Sequence, residues 1–465
     1  MRGPGLSRRE LLRGALAAGA ALLLPQKRAR AADPLPPVWL DGGPLPWRNW
    51  SGFQHCRPLL RLGPASESEL LEMLGRASAP IRPAGAGHSF SGLVPSDGSL
   101  LFLDGLSGIA SVDAANLQAE VWAGTRLGAL GPALAAHGQA MPNLPDIDYQ
   151  TLGGAIATST HGTGVLLGSL SSCVIGLSIA TPSGEILDCD ASRNAELFHA
   201  ARTSLGARGV VTRFRLQNQP TFRVVEKTAW RDLDEVLANL ARDREASRSY
   251  EFYAFPHANV ALAIATDETS AEPYSSGEDD PDGLELLQTL FDLTRRLPGI
   301  GTPIYDALLR RSGTSEHAGE SHRVLTHPRT TRFNEMEYTV PAEAGPECLL
   351  EVLETIRERE LPICFPIECR YVREDDVWLS MFHERPGFSI SVHQFADRDF
   401  SEYFAAVEPI FWKYEGRPHW GKLHTLDAAR LAPLYPRFRE FQALRRSLDP
   451  HGRLVNPHLA TVLGI

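Results

Sequence analysis

Two loops of small residues, each containing a histidine, are the first candidates for chemistry in this chain. They are IRPAGAGHSFSG, residues 81–92, and TLGGAIATSTHGTG, residues 151–164. Neither has the G-x-G-x-x-G spacing of a dinucleotide-binding α/β unit, but runs of unobstructed backbone N–H groups can bind an anion such as a pyrophosphate. A plain turn needs the glycines but not His88 or His161. The pair of loops therefore favours a large cofactor that carries phosphate.

A carboxylate and a guanidinium form the second candidate. Glu368 and Arg370 are two residues apart in PIECRYV, residues 366–372, a predicted strand, so both side chains point to the same face. They suit chemistry at a hydroxyl group, because a carboxylate accepts its proton and a guanidinium stabilises the charge developing on its oxygen. An exposed ion pair is the commoner outcome for such a pair. The residues alone leave both interpretations open.

Helix and strand signals alternate in the segments that must position these groups. Helices are predicted at 66–77, 127–137, 348–358 and 403–412, and strands at 81–83, 100–103, 118–122, 174–180, 185–189, 206–217, 333–340, 367–371, 377–382 and 388–395. Residues 267–284 are acidic and rich in turn formers, which predicts a mobile surface loop. The fold class is therefore α+β, with a domain boundary near residue 220.

Composition narrows the function classes. The chain has 465 residues, 43% hydrophobic and 22% charged, which is typical of a soluble protein of two or three domains. Six cysteines show no C-x-x-C spacing, so no metal site is predicted and most thiols are expected to be unpaired in the core. Residues 1–31 contain seven Lys or Arg residues and one acidic residue. The rest of the chain has 39 basic and 55 acidic side chains and therefore a net charge of −16, which argues against a nucleic-acid-binding surface.

The first 31 residues have the pattern of an export signal. Arg8 and Arg9 precede an apolar stretch from Ala15 to Leu24, and Ala29-Arg30-Ala31 has the form of a cleavage site. The paired arginines resemble a twin-arginine signal, which exports proteins already folded. We expect a periplasmic or extracellular protein with no stable membrane insertion after signal removal. A membrane anchor or a disordered basic tail is the alternative.

Seven collinear segments resemble the vanillyl-alcohol oxidase superfamily (PCMH-type FAD-linked oxidases), and within it the aldonolactone and alditol oxidase group, with bacterial alditol oxidases closest. The segments are 47–52, 82–92, 143–164, 206–212, 334–341, 417–424 and 449–458. The resemblance implies a two-subdomain FAD-binding domain and a C-terminal substrate domain with a large antiparallel sheet flanked by helices. The predicted parts are a signal peptide at 1–31, a linker at 32–46, the FAD-binding domain at 47–220 and the substrate domain at 221–465, in which 417–465 returns to the flavin.

The resemblance also implies the cofactor site. In that family the histidine of the first loop bonds covalently to the flavin, and His88 holds that position. Val211 would meet the cofactor through its backbone, and His161 is as readily structural. The predicted cofactor-binding residues are Gly85, Ala86, Gly87, His88, Ser89, Phe90, Asp146, Thr151, Gly154, Thr158, Thr160, His161 and Val211.

The same resemblance implies that Glu368 and Arg370 are catalytic residues. Glu368 would accept or orient the proton of the substrate hydroxyl, and Arg370 would hold its oxygen. Lys422 matches the family's active-site lysine, although a lysine beside a tryptophan is by default a surface residue. In SVHQF, residues 391–395, the register leaves open whether His393 or Gln394 faces the pocket. The predicted substrate-binding residues are Asp146, Glu368, Arg370, His393 and Lys422.

The implied function is oxidation of a polyol or aldonolactone hydroxyl by FAD, with O2 reoxidising the flavin and yielding H2O2. A dehydrogenase that passes electrons to a quinone or cytochrome is the first alternative. Pro145 occupies the family's oxygen-access position and does not decide between them, since it is small but is not the glycine of some oxidases. The second alternative, a flavin-free sugar-binding protein, would be expected to have lost His88 or Glu368, and both are present.

Overall fold

The structure is a computed structural model that describes residues 45–276, 283–295, 301–310, 313–327 and 329–465. The predicted signal peptide lies outside these ranges, as does all but the end of the predicted linker. Within them, no helix is both long and apolar enough to cross a bilayer. All six cysteines have free thiols, four of them buried, as the sequence predicts.

Strands occur throughout the described chain. They are β1 Trp47–Arg48, β2 His55–Cys56, β3 Leu60–Leu62, β4 Ile81–Ala84, β5 Ser99–Phe102, β6 Ile109–Asp113, β7 Gln118–Trp122, β8 Gln139–Ala140, β9 Val174–Ala180, β10 Ile186–Asp190, β11 Val210–Gln217, β12 Gln219–Pro220, β13 Arg223–Asp232, β14 Ser249–Ala254, β15 Val260–Thr269, β16 Tyr274–Ser276, β17 Glu316–Glu320, β18 Phe333–Pro341, β19 Ile367–Val372, β20 Gly387–Phe395 and β21 Arg417–Pro418.

Helices lie between many of these strands. They are α1 Glu67–Arg76, α2 Leu127–Ala135, α3 Leu152–Ala157, α4 Ala195–Ala201, α5 Leu233–Ala246, α6 Gly283–Thr294, α7 Gly301–Arg310, α8 Ser321–Val324, α9 Gly345–Glu358, α10 Ser401–Lys413, α11 Ala428–Leu431, α12 Phe438–Leu448 and α13 Pro457–Leu463. Ser66 caps α1 as predicted, because its side chain accepts a hydrogen bond from the Glu69 N–H.

Four small sheets come from the first part of the chain, and two of them, β1-β2 and β12-β8, are antiparallel pairs. The order β3-β5-β4 is parallel, and the order β10-β9-β11-β7-β6 is antiparallel. Strands from β13 onward form a nine-stranded antiparallel sheet in the order β16-β17-β13-β15-β14-β19-β20-β18-β21. This is the predicted α+β, PCMH-type architecture with a large antiparallel sheet.

The large sheet separates an apolar face from a polar one. Side chains alternate along a strand, so Cys369 and Tyr371 of β19 join the core, whereas Glu368 and Arg370 point the other way. The same alternation holds on β14, β18 and β20. Helices α5, α9 and α10 cover the apolar face, with Val236, Leu240, Val352, Leu353, Val407 and Phe411 in one core cluster with strand residues. The polar face is also buried, because the rest of the chain packs against it.

Arg82 holds the first small-residue loop in place. It is buried at the start of that loop and donates hydrogen bonds to the carbonyls of Leu93, Leu205, Gly206 and Leu454 at 2.6–2.8 Å. Because a guanidinium stays charged, four carbonyl acceptors are needed to offset its burial. Segment 417–465 also contacts the loop, since the Phe90 N–H donates to the Gly421 carbonyl at 2.6 Å.

Two sequence predictions need correction. Residues 377–382, predicted as a strand, form turns, because the Asp375 carboxylate accepts hydrogen bonds from the Val377 N–H and the Ser380 hydroxyl. The predicted mobile loop at 267–284 contains the end of β15, strand β16 and the start of α6, whereas 277–282 lie outside the described residues. Strand β16 forms because Tyr274–Ser276 pair with the backbone of β17. The local sequence does not show that this pairing partner lies nearby.

Candidate active site

Two cavities meet at the first small-residue loop. One is lined by that loop, by residues 150–158 and by residues 204–211. The other has a volume of about 690 Å³ and lies along the polar face of the large sheet. His88, Ser89, Gln150 and Thr158 line both. A ligand with a phosphate-bearing part and a reactive part therefore has one continuous path through the protein.

The geometry of the loops fits FAD. A Cβ at position 85 would collide with the Thr151 hydroxyl, and Gly87 has φ +74°, a conformation that favours glycine. Thr151 also caps α3, because its hydroxyl accepts from the Gly154 N–H at 3.2 Å. The first cavity thus exposes backbone along both predicted loops. Gly85, Ala86, Gly87, Thr151, Gly154 and Val211 line this cavity, Phe90, Asp146, Thr160 and His161 line the large one, and His88, Ser89 and Thr158 line both.

His88 is an uncharged imidazole between two aromatic rings. Its ring centroid lies 5.2 Å from that of Trp50 and 5.9 Å from that of Tyr149, and both pairs are stacked. Burial, aided by the positive charges of Lys422 and Arg126, lowers the pKa of His88 to about 4. Near neutral pH one ring nitrogen therefore carries a free lone pair, which is the nucleophilic form of the side chain.

Strand register assembles the reactive wall of the large cavity. Tyr253, Glu368, Ser391 and Glu337 are successive cross-strand partners on β14, β19, β20 and β18. The Tyr253 hydroxyl donates to Glu368 Oε1 at 2.7 Å. Arg370 Nη2 lies 3.2 Å from Glu368 Oε2 and 3.4 Å from Glu337 Oε2. The predicted pair Glu368 and Arg370 is therefore a buried ion pair at a cavity wall, not an exposed one.

The charged states of Arg370 and Glu337 on this wall are stabilised by the oppositely charged groups beside them. Burial disfavours the Arg370 cation, but Glu368 and Glu337 more than offset this and raise its pKa. Burial likewise opposes ionisation of Glu337, yet His161 and Arg370 hold its pKa well below the usual range. Arg370 Nε has no hydrogen-bond partner among the described residues. A buried guanidinium N–H is thus available to an oxygen atom of a ligand.

His161 has a structural role within the site. Its Nδ1 lies 2.8 Å from the Gly162 carbonyl and its Nε2 lies 2.7 Å from Glu337 Oε1. A carbonyl oxygen only accepts, so Nδ1–H is the donor to Gly162, and the hydrogen bond at Nε2 holds the Glu337 carboxylate. His161 therefore orients Glu337, and Glu337 in turn forms the ion pair with Arg370.

Lys422 and His393 both face Glu335. Lys422 forms an ion pair with Glu335 Oε2, and His393 Nε2 lies 3.6 Å from Glu335 Oε1. Burial opposes ionisation of Glu335, but Lys422 and His393 lower its pKa to about 2. The open register is resolved, because His393 lines the cavity whereas the Gln394 side chain accepts from the Phe395 N–H.

Asp146 joins the loop before α3 to the segment before β18. Its Oδ2 accepts from Arg329 Nη2 and Nε at 2.6 and 2.8 Å, and its Oδ1 lies 3.0 Å from His327 Nδ1. Burial opposes these charges, but hydrogen bonds to Asp146 and Glu226 raise the pKa of His327 to about 10. Asp146 lines the large cavity, and both its oxygens are held by protein cations.

Sequence reasoning assigned no role to several residues of this wall, namely Glu226, Glu251, Tyr253, His327, Arg329, Glu335, Glu337 and His419. A signal existed for some of them. In NEMEYTVP, residues 334–341, and SYEFYA, residues 249–254, polar residues alternate with apolar ones, as on a strand with one polar face. His327 and Arg329 lie outside helices and strands, and no periodic pattern marks them.

Two clusters of imidazole and carboxylate groups lie on the wall: His161, Glu337 and His419, and Glu335, Glu368 and His393. Protein cations already neutralise their carboxylates, since Arg370 pairs with Glu337 and Glu368, and Lys422 with Glu335. The clusters are thus parts of one ion-pair network along the polar face.

Comparisons with known proteins agree with this geometry. Residues 58–190 match the FAD binding domain family, and residues 214–462 match the D-arabinono-1,4-lactone oxidase family. The chain is 36% identical to an L-gulono-1,4-lactone dehydrogenase of Mycobacterium tuberculosis, over 90% of this chain and 99% of that protein. It is 33% identical to the L-gulonolactone oxidase of Bos taurus, with 90% and 98% covered.

More distant similarities have the same character. An alditol oxidase of a Streptomyces species is 28% identical over 89% of this chain and 98% of that protein. The crystal structure of cholesterol oxidase from B. sterolicum superimposes with a TM-score of 0.72 at 18% identity, over 90% of this chain and 96% of that one, which shows the fold alone. The expectation that bacterial alditol oxidases are the most similar members is wrong, because the two lactone enzymes are 36% and 33% identical to this chain and the alditol oxidase is 28% identical. The chain belongs to the D-arabinono-1,4-lactone oxidase family of FAD-dependent oxidoreductases, which confirms the resemblance to the aldonolactone and alditol oxidase group.

Proposed function

We propose that the protein oxidises a hydroxyl-bearing carbon of an aldonolactone or alditol. The observation that carries the proposal is the placement of Glu368 and Arg370 on the wall of the cavity that His88 also lines. Bound FAD supplies the two-electron acceptor for such a reaction. The dense hydrogen-bonding wall suits a small polyhydroxylated molecule, because each hydroxyl needs a partner when it leaves water.

Several polar groups of the wall have a defined task in this proposal. Glu368 accepts the proton of the reacting hydroxyl, and the Tyr253 hydrogen bond fixes the orientation of that carboxylate. Arg370 holds the hydroxyl oxygen through its unpartnered Nε–H and stabilises the negative charge that develops there. Lys422, held by Glu335, donates to oxygens farther from the reacting carbon.

The cofactor is proposed to be tethered through His88. Three features support this: the loop position, the neutral imidazole and the aromatic stacking that restricts the ring. A covalent bond through this ring would raise the reduction potential of the flavin, and so favour hydride transfer from an unactivated alcohol. It would also keep the cofactor in place after export.

Oxygen is the electron acceptor in this proposal, with H2O2 as the second product. Purified protein mixed with L-gulono-1,4-lactone, D-arabinono-1,4-lactone or sorbitol is expected to consume O2 and release an equal amount of H2O2. An oxygen electrode and a peroxide assay measure this, and heat-inactivated protein is the control. If none of these compounds reduces the flavin without oxygen, the proposed function is wrong.

A dehydrogenase is the second candidate, because the relative at 36% identity is a dehydrogenase. Pro145 lines the large cavity and does not decide between the two candidates. Reduction of an artificial electron-accepting dye at a rate far above that of O2 consumption would favour this candidate over the oxidase.

Export through the twin-arginine route is also proposed, on the pattern of residues 1–31. Replacing Arg8 and Arg9 together by Lys is expected to leave the protein in the cytoplasm, because the paired arginines are what the export machinery recognises. Cell fractionation and N-terminal sequencing measure this, with a mature N-terminus expected near Ala32. Replacing Arg2 and Arg13 by Lys is the matched control. Unchanged export of the Arg8/Arg9 variant would contradict the proposal.

A further inference from the structure

Six carboxyl side chains line the large cavity: Asp146, Glu226, Glu251, Glu335, Glu337 and Glu368. Five of them have a basic partner within 4 Å. Arg329 and His327 hold Asp146, His327 also reaches Glu226, Lys422 pairs with Glu335, and Arg370 pairs with Glu337 and Glu368. The cavity is therefore close to charge balance without Glu251.

Glu251 is the exception among these six, because its side chain makes no hydrogen bond or ion pair with any other of the described residues. It lies on β14 as the cross-strand partner of Arg370, and it points to the same face as Tyr253. The Arg370 guanidinium on that face is already shared between Glu368 and Glu337. Glu251 therefore faces the cavity with its own hydrogen-bonding capacity unused.

The surroundings favour a neutral carboxyl at this position. The charged and titratable groups that act on Glu251 are Glu368 and Arg370 of β19, Tyr253 of β14, Glu226 of β13 and Asp146 of the loop before α3. Burial, then the negative charge of Glu368, raises the pKa of Glu251 to about 8. At neutral pH the side chain keeps its proton and has one O–H donor.

We propose that Glu251 is a substrate-recognition residue whose carboxyl O–H donates a hydrogen bond to the carbonyl oxygen of an aldonolactone. The inference rests on the proposed function and narrows its substrate class from alditol or lactone to lactone. A lactone carbonyl only accepts hydrogen bonds, so it needs a donor, whereas the ion-paired carboxylates of the wall offer acceptors. The Tyr253 proton is already donated to Glu368. An alditol has no carbonyl and gains less from this donor.

Substrate affinity as a function of pH tests the inference. The apparent Kd for L-gulono-1,4-lactone is measured by anaerobic stopped-flow reduction of the flavin, with the lactone mixed from a weakly buffered neutral solution to limit its hydrolysis. For the wild type, Kd is expected to increase about five- to tenfold from pH 6.5 to 9.5, as the donor is lost. Glu251→Gln keeps an N–H donor that does not titrate, so its Kd should stay near the wild-type value of pH 6.5 at both pH values.

Removal of the donor gives the complementary result. Glu251→Leu is expected to bind the lactone about five- to tenfold more weakly at pH 6.5, with little further change at pH 9.5. Binding of sorbitol, measured in the same way, should change less than twofold in either variant. Glu354→Gln, an exposed acid on α9, is the matched control and should behave as wild type.

Two results would overturn the inference. One leaves the proposed function intact, and the other also rules out a lactone as the substrate. If the lactone reduces the wild-type flavin and both Glu251 variants keep the wild-type Kd and pH profile, the inference is wrong while the proposed function stands. If sorbitol reduces the flavin and neither L-gulono-1,4-lactone nor D-arabinono-1,4-lactone does, the lactone assignment and the role of Glu251 are both wrong. Glu251→Gln keeps the shape of the side chain, so its pH profile remains a valid test even if Glu251→Leu folds poorly.

Discussion

Replacement of Glu368 by glutamine is expected to slow reduction of the flavin by substrate at least about a hundredfold. The amide has the size of the carboxyl group but cannot accept the proton of the reacting hydroxyl. It also leaves the Arg370 guanidinium with Glu337 as its remaining anionic partner. Both effects act on the reacting atoms, so the limiting reduction rate should fall much more than substrate affinity.

Anaerobic stopped-flow spectroscopy measures this prediction directly. The flavin absorbance per protein and the melting temperature of Glu368→Gln should stay close to wild type, because the change preserves volume and the Tyr253 hydroxyl can still donate to the amide oxygen. Arg370→Lys is the companion variant, since it keeps the buried positive charge but loses the guanidinium Nε–H. Wild-type reduction rates in both variants would place the reactive groups elsewhere in the cavity.

Much of this wall was predictable from sequence, because strand alternation is a local property. The two-residue spacing of Glu368 and Arg370 predicted one shared face, and the structure confirms it. The predicted strands 118–122 and 174–180 have the observed bounds, and 367–371 and 388–395 differ by one residue. The alternating polar residues of NEMEYTVP likewise indicate that Glu335 and Glu337 point to one face of their strand.

Other features depend on contacts between distant segments, which the local pattern cannot contain. Asp146 and Arg329 are separated by 183 positions, and the hydrogen bonds between them form only when the FAD-binding part packs against the large sheet. The apolar run 377–382 looks like a buried strand, yet the Asp375 side chain folds it into turns. A short apolar run in the sequence thus predicts burial better than it predicts whether the segment is a strand, a helix or a turn.

The arrangement of charges follows from the sheet. One face of β14, β18, β19 and β20 builds the core with helices, so the alternate residues of the same strands must point into the cavity. Ionisable groups in such a buried position are costly unless paired. The ion pairs of Glu335, Glu337 and Glu368 meet that requirement, and they fix the donors and acceptors at definite positions for a substrate.

Replacement of His88 by alanine is expected to abolish covalent attachment of the flavin. The imidazole is the nucleophile in the proposed bond, and alanine offers no atom that can replace it. Both cavities retain their backbone lining, so some FAD should still bind without a covalent link. That flavin should be lost on dilution, and substrate oxidation should be much slower, because the tether that positions the ring is gone.

Acid precipitation separates the two forms of the cofactor. Wild-type protein should give a yellow pellet, because the covalently bound flavin stays with the denatured chain, whereas the pellet of His88→Ala should be colourless and its supernatant yellow. His137→Ala, at an exposed position after α2, is the control and should resemble wild type. A colourless wild-type pellet would show that the flavin is not covalently bound. A yellow His88→Ala pellet would assign the bond to another side chain, and the neutral imidazole between Trp50 and Tyr149 would then need a different role.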